Sequence, residues 1–240
     1  MNKGTCAICG EHKELSFEHY PPKKAFNNKP INIKGYDNLF NEMSTEYGRK
    51  TKSPKGFGSH TLCKKCNNET GDWYARDYIN WTKQGVDLIK KNNENFAYPS
   101  EFSIKPLNVL KQVMAMFLSA NKSGILSNHS DLKKFILERE SQVLLDNYRI
   151  YLYLNNSKIK RFLGLSIVSI SPSIPICKWS EISFPPFGFL LTDNSPPANK
   201  FQYDITFFKN YKYEEEAKLQ LPLSYLEVPN EFIGTYKNIN

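Results

Sequence analysis

The chain has 240 residues, of which 40% are apolar and 14% aromatic, and this composition excludes a globally disordered protein. Its net charge of +8 attracts polyanions, which makes nucleic acid a more favoured partner. No stretch approaches the roughly 20 apolar residues that cross a bilayer. The first residues also lack the apolar run of a secretory signal.

The chain begins with a cysteine turn and a short strand. Cys6 and Cys9 form a C-x-x-C pair followed by a glycine, a spacing that directs two thiolates at one metal ion. Residues 15–19 alternate as a strand that ends in the dipeptide Glu18-His19. Two prolines follow, and because they lack amide donors they end the strand.

A second cysteine pair follows a long polar segment. We expect residues 27–60 to form a loop, because they are rich in Asn, Gly, Lys and Ser and contain a basic run at 49–55. Cys63 and Cys66 then supply two more thiolates. Four thiolates complete a closed tetrahedral zinc site, so we predict a structural Zn²⁺ bound by Cys6, Cys9, Cys63 and Cys66. Such cysteine usage fits a reducing compartment, and we expect a cytoplasmic protein.

From Asn67 onwards the pattern is helical. Aromatic residues recur at four-residue steps as Trp73, Tyr74, Tyr78 and Trp81, and we interpret them as core residues rather than base-stacking platforms. Pro99 marks a boundary, which divides the chain into a module at 1–98 and a second part at 99–240.

The second part reads as a helix pair followed by a sheet. One helix starts at Pro106 with a single apolar stripe, and Ser130 is the expected N-cap of the next. Cys177 is expected in the core. Strands are predicted at 148–155, 161–170, 174–182, 187–192 and 202–208. The predicted fold class is therefore α+β: a small zinc-clipped module, then a helix pair and a mainly antiparallel sheet.

The motifs of the first part, taken together, resemble those of a known family. Cys6-x-x-Cys9, Glu18-His19-x-Pro21 and Cys63-x-x-Cys66-Asn67-Asn68-x-Thr70-Gly71 are similar to zinc-bearing HNH endonucleases over roughly residues 4–85. In that family two strands and a helix surround one catalytic metal, an arrangement called ββα-metal or treble clef. The resemblance implies DNA cleavage in a bacterial or phage setting, in restriction or antiphage defence.

The resemblance also assigns roles to single residues. His19 would be the general base that activates water, and Glu18 and Asn67 would be ligands of a catalytic Mg²⁺ or Mn²⁺. The chemistry agrees, because phosphodiester hydrolysis needs a deprotonated water and a cation that stabilises the transition state. The family's middle asparagine has no counterpart at 56–62. His60, as its replacement or as a metal ligand, and the more distant Asn38 are both candidates.

Each of these residues also has an ordinary structural interpretation. His19 could be a surface or core histidine, and Asn67 with Asn68 could cap the helix. Lysines near the motifs could contact phosphates or form a solvated face; they are Lys23, Lys24, Lys64 and Lys65.

Three functions therefore remain open. The first is an HNH endonuclease, with DNA favoured over RNA as its substrate and the choice between them left open, in which residues 99–240 serve recognition. The second is a non-catalytic zinc module that binds nucleic acid, and the third is an adaptor whose C-terminal sheet binds a protein partner or forms a homodimer.

Overall fold

The fold comes from a computed structural model that describes residues 2–35, 42–43, 45, 47–91, 99–121, 126–168, 176–227 and 237–238. These residues form a mixed α+β structure with antiparallel sheets, and this level of the predicted fold class is confirmed. Asn38 lies outside the described residues, and so do the ends of the strands predicted at 161–170 and 174–182.

The first sheet carries the two cysteine pairs at its ends. It consists of β1 (Lys3–Thr5), β2 (His12–His19) and β5 (Gly58–Cys63), paired antiparallel in the order β1-β2-β5. The strand predicted at 15–19 is thus confirmed and begins three residues earlier.

The segment expected to be a loop contains a second, separate sheet. Strands β3 (Ile31–Ile33) and β4 (Thr51–Ser53) pair antiparallel as a two-stranded ribbon. The prediction of a featureless loop at 27–60 was wrong, because the polar composition masks the short alternation in which Ile31 and Ile33 are half-buried and Asn32 is exposed.

A continuous helix follows the first sheet directly. It comprises α1 (Lys64–Thr70), a π-helical turn (Gly71–Ala75) and α2 (Arg76–Lys91). The helix begins at Lys64 after an extended Cys63, so Asn67 and Asn68 lie inside it and the interpretation of them as caps was wrong. Tyr74, Tyr78 and Trp81 are buried, as expected of core residues.

Two further helices follow in the chain. Helix α3 spans Pro106–Ala120 and α4 spans Ser130–Leu137, with His129 in the cap position predicted for Ser130. Fourteen of the fifteen residues of α3 are buried, including the whole predicted apolar stripe, so burial extends well beyond that stripe. The reason is that α3 packs between α2 and α4 on one side and β8 and β9 of the second sheet, described next, on another.

The second sheet has five antiparallel strands, in the order β11-β7-β10-β9-β8. Its strands are β7 (Tyr148–Leu154), β8 (Arg161–Val168), β9 (Cys177–Phe184), β10 (Phe187–Asp193) and β11 (Tyr203–Asp204). The strand predicted at 202–208 was largely wrong: the Asp204 carboxylate accepts from the Thr206 amide at 2.7 Å, and residues Thr206–Asn210 turn into a 3₁₀ helix.

Two strand pairs that the sequence did not suggest complete the described fold. Strand β6 (Pro99–Ile104) pairs with β12 (Ala217–Pro222), and β13 (Leu226–Glu227) pairs with β14 (Lys237–Asn238). One cluster of buried residues runs from Cys6 to Tyr225, so both sides of the predicted boundary near residue 99 contribute to the same core. Cys177 is buried, as expected. No helix among the described residues is long and apolar enough to cross a membrane.

Candidate metal centre and the adjoining histidine strand

The four predicted cysteines meet at one end of the first sheet. Cys6 and Cys9 lie in the turn between β1 and β2, Cys63 ends β5, and Cys66 lies in the first turn of α1. Their sulfur atoms all lie within 4.8 Å of one another, and the Sγ atoms of Cys9 and Cys63 are 4.0 Å apart. In a tetrahedral zinc site with bonds of about 2.3 Å the sulfurs are about 3.8 Å apart, so the cluster fits one such ion.

A tight turn and backbone amide donors orient the cysteine side chains of the cluster. Gly10 has φ of +77°, which permits the tight turn in which its amide donates to the Cys6 carbonyl at 2.9 Å. The Cys63 amide donates to the Cys6 sulfur at 3.3 Å. Hydrogen bonds from the Cys66 thiol and from nearby amides lower the pKa of Cys6 to about 4. The hydrogen bond that Cys66 donates to Cys6, together with burial, raises the pKa of Cys66. Cys6 is therefore the cysteine most favoured as thiolate, the form that binds metal.

The first cysteine turn is tied to an irregularity in the strand pair. Ser16 pairs with Leu62 and Phe17 with His60, so Thr61 is an extra residue that forms a β-bulge. The Thr61 carbonyl accepts from the Ala7 amide at 2.9 Å. A metal held by the cysteines would thereby also fix the bulge, which lies directly before Glu18 and His19.

His19 is held in one orientation by a backbone carbonyl. Its Nε2 lies 2.9 Å from the Lys55 oxygen, and since a carbonyl can only accept, Nε2 carries the hydrogen. In the neutral imidazole Nδ1 then keeps its lone pair and is the atom able to take a proton. The ring also meets Phe17 edge-on, with centroids 4.9 Å apart.

Glu18 has the surroundings of a functional carboxylate. It points to the opposite face of β2 from His19, since successive side chains of a strand alternate. Burial raises the pKa of Glu18 to about 8. Among the described residues no hydrogen bond or ion pair satisfies this carboxylate, and its negative charge adds to the raised pKa of Tyr20. A buried, unpartnered carboxylate is costly, which makes it a candidate metal ligand.

Asn67 lies beside the same strand. Its Nδ2 donates to the Ser16 hydroxyl at 3.0 Å and to the Phe17 carbonyl at 3.4 Å. Because that carbonyl carbon is bonded to the Glu18 nitrogen, the Nδ2 atom of Asn67 lies at most about 6 Å from the backbone nitrogen of Glu18. Its Oδ1, the hard oxygen ligand, has no donor among the described residues.

The other candidates take more peripheral positions. His60 is exposed and meets the ring of Phe17 edge-on at 5.4 Å, so Phe17 has a histidine on each side. The four candidate lysines are all exposed: Lys23 and Lys24 in the turn after β2, and Lys64 and Lys65 in the first turn of α1. Lys65 is 3.9 Å from Glu69, a weak surface pair.

One residue that sequence analysis missed is Asn27. It is 1% exposed, and its Nδ2 donates to the carbonyls of Pro21 and Phe57 at 2.7 Å each. Its Oδ1 accepts from the Phe57 amide, also at 2.7 Å. Gly56 is required beside it, because it has φ of +92° and a Cβ there would lie 2.4 Å from the Asn27 carbonyl. Asn27 thus fixes the turn that carries the Lys55 carbonyl, and only the Asn-rich composition of this stretch hinted at it.

The rest of the described chain offers fewer candidate metal-binding or catalytic groups than this region does. The four cysteines are the only cluster of three or more His, Cys, Asp or Glu side chains placed to bind an ion in the described part of the chain. A cleft of about 250 Å³ lies between α2 and the β6–β12 pair, where Asp77, Lys105 and Lys218 line it, and none of the candidate site residues does so. Strand β2, which carries His19 and is called the histidine strand below, has no fully buried residue. Such a surface suits a polymer backbone better than a small ligand.

Comparison with known proteins adds no relative. No protein-family model, no curated protein and no solved structure matches the chain.

Proposed function

We propose that the chain is a metal-dependent endonuclease of the HNH type that hydrolyses DNA, with His19 as the general base. The observation that supports it best is the presence, on consecutive residues at the end of β2 and on the helix that bonds to this strand, of an imidazole whose Nδ1 keeps its lone pair, a carboxylate that no described residue satisfies and an amide oxygen without a donor among the described residues. These belong to His19, Glu18 and Asn67. A module that only binds nucleic acid has no need of this grouping.

The residues divide the chemistry as follows. Nδ1 of His19 takes the proton of the attacking water, and the Lys55 carbonyl stabilises the resulting imidazolium through Nε2–H. Glu18 and the Oδ1 of Asn67 would hold a Mg²⁺ or Mn²⁺, since both are hard oxygen ligands. When bound, that cation supplies charge stabilisation for the phosphorane-like transition state.

The zinc proposed at the four cysteines has a separate, structural role. It would join the turn before β2 to the start of α1, which are the two elements that carry Glu18, His19 and Asn67. In this proposal Asn27 has the positioning role of the family's middle asparagine, because it fixes the turn whose Lys55 carbonyl accepts the hydrogen bond from His19. The tasks suggested for His60 and for the second part of the chain stay predictions.

The test is nicking of supercoiled plasmid in Mg²⁺ or Mn²⁺. We expect the wild-type chain to nick, EDTA to abolish nicking, and His19→Ala to lower the rate about 10²- to 10⁴-fold, the usual contribution of a general base. Asn67→Ala and Asn68→Ala form a matched pair, because Asn68 is exposed on the same helix. Only the Asn67 variant should lose activity.

The competing function gives a different result. If wild type and His19→Ala are equally inert in both metals and still bind DNA, the chain is a non-catalytic zinc module. Roles in restriction or antiphage defence rest on the resemblance alone and stay predictions.

A further inference from the structure

The β3–β4 ribbon concentrates positive charge beside the histidine strand. Residues 21–55 hold eight Lys or Arg and three Asp or Glu. In the ribbon Asn32 pairs with Lys52, and both are exposed, whereas Ile31, Ile33 and Ser53 on the other face are half-buried. The ribbon therefore has an inner apolar face and an outer polar one.

The outer face continues past the ends of both strands. Lys34 directly follows the end of β3 and Lys50 directly precedes the start of β4, so both flank the pair formed by Asn32 and Lys52. Lys34 and Lys50 are exposed, and within the described part of the chain no ion pair involves them or Lys52. Lys34, Lys50 and Lys52 thus give this end of the ribbon three positive charges with no compensating ion pair among the described residues, which favours an anion there.

A second pair of cations extends the charged surface towards the larger sheet. Lys160, just before β8, is exposed, and burial of its stem and the nearby ammonium of Lys29 both lower its pKa. Lys29 precedes β3 by two residues. The positive potential thus spreads from the ribbon to the start of β8.

The ribbon is also joined to the proposed site. Two residues after β4, the Lys55 carbonyl accepts from His19, and Asn27, four residues before β3, fixes the same turn. A polyanion lying on the ribbon would therefore pass close to His19.

We propose that the outer face of the β3–β4 ribbon, with Asn32, Lys34, Lys50 and Lys52, is the docking element for double-stranded DNA and lies in its major groove. The inference rests on the proposed function only for the nature of the partner. The major groove is about 12 Å wide and admits a two-stranded ribbon, and asparagine and lysine are among the side chains that hydrogen-bond to base edges there. The major groove of double-stranded RNA is too deep and narrow for side chains to read.

The test is the salt dependence of binding, measured by fluorescence anisotropy with a labelled 25-base-pair duplex. The protein carries His19→Ala so that the duplex stays intact. Lys50→Gln combined with Lys52→Gln is compared with Lys83→Gln combined with Lys91→Gln, which removes the same charge from exposed positions on α2. Zinc content and circular dichroism confirm that each variant is folded.

We expect the ribbon variant to lower the slope of log K against log salt by about 2, roughly 0.9 for each phosphate that the protein no longer neutralises. The α2 variant should leave that slope unchanged. Equal effects in the two variants would show attraction by net charge alone and would overturn the proposal. So would tighter binding of single-stranded DNA or of an RNA duplex with the same dependence on Lys50 and Lys52.

Failure of the proposed function has a different signature. If the wild-type chain never nicks plasmid but the salt slope depends on the ribbon, the nuclease proposal falls and the docking surface stands. If the wild-type chain nicks and the ribbon substitutions, placed in that catalytically intact background, leave the nicking rate unchanged, the docking surface falls and the nuclease proposal stands.

Discussion

The first sheet and the second sheet are stabilised in different ways. None of the eight residues of β2 is fully buried, whereas six of the seven residues of β10 are. Beside the first sheet lie four sulfurs that could hold a metal ion, a carbonyl–amide bond at Thr61 and the bonded side chain of Asn27. The second is held by apolar packing against α3, which supplies most of the favourable energy of ordinary domains.

This difference bears on function. A strand that buries little apolar area can carry polar groups such as Glu18 and His19, both half-buried, but it needs another source of stability. Metal binding provides one, because the free energy of binding a structural zinc is also folding free energy. We therefore expect the first sheet to depend on metal and the second to be indifferent to it.

The largest expected effect is that of Cys66→Ser. Losing one of four thiolates removes most of a binding free energy on the order of 10–16 kcal/mol, so zinc should be lost and the first sheet should unfold. Hydrogen exchange should then show loss of protection in β2 and β5, while α3 and β10 stay protected. Cys177→Ala is the control, because Cys177 lies in β9 and should keep the zinc.

A Cys66→Ser variant that retains a full equivalent of zinc and the wild-type melting temperature would contradict this expectation. Loss of zinc in Cys177→Ala would do so as well.

The reverse experiment removes packing from the second sheet. Phe187 is fully buried, and its ring centroid lies 4.4 Å from that of Trp81. Phe187→Ala should lower the free energy of unfolding by about 3–5 kcal/mol, the usual cost of such a cavity. Urea titration gives this value, and metal analysis of the folded variant should still find zinc. An unchanged urea midpoint in Phe187→Ala, or loss of zinc from the folded variant, would contradict the expected difference between the two sheets.

The smallest effect is expected for Asn27→Ala. The substitution leaves the Pro21 carbonyl and both backbone groups of Phe57 without their partner, which should cost about 1–3 kcal/mol. Because the Lys55 turn loosens, the ¹⁵N spectrum of His19 should change from a single Nε2–H tautomer to a mixture. Asn28→Ala, at an exposed neighbour, should change neither. An unaltered His19 tautomer in Asn27→Ala would show that Asn27 does not position the histidine.

Local patterns in the sequence predicted the features that depend on local spacing. The two C-x-x-C pairs predicted a cluster whose sulfurs do meet, and the alternation before Pro21 predicted the end of β2. Contacts between distant residues gave no such signal. Asn27 meets Phe57 across thirty residues, and the bulge at Thr61 follows from pairing register, which no single strand specifies.

The sequence also did not reveal that α3 is buried on more than one side. Helix α3 carries Lys111 and Gln112 in positions that read as solvent-facing, yet both are buried. Lys111 is accommodated because its ammonium donates to the Phe135 and Glu138 carbonyls at the end of α4. Partners of this kind come from tertiary packing, so the sequence of α3 alone predicts an exposed face.

The proposed site requires a metal bound by the four cysteines, which would fix the turn before β2 against the start of α1. The most direct measurement is metal analysis of the purified full-length chain combined with zinc-edge X-ray absorption. We predict one zinc per chain with four sulfur neighbours at about 2.3 Å. A zinc-free protein that is folded, or a zinc bound by nitrogen or oxygen in place of the cysteines, would contradict this prediction.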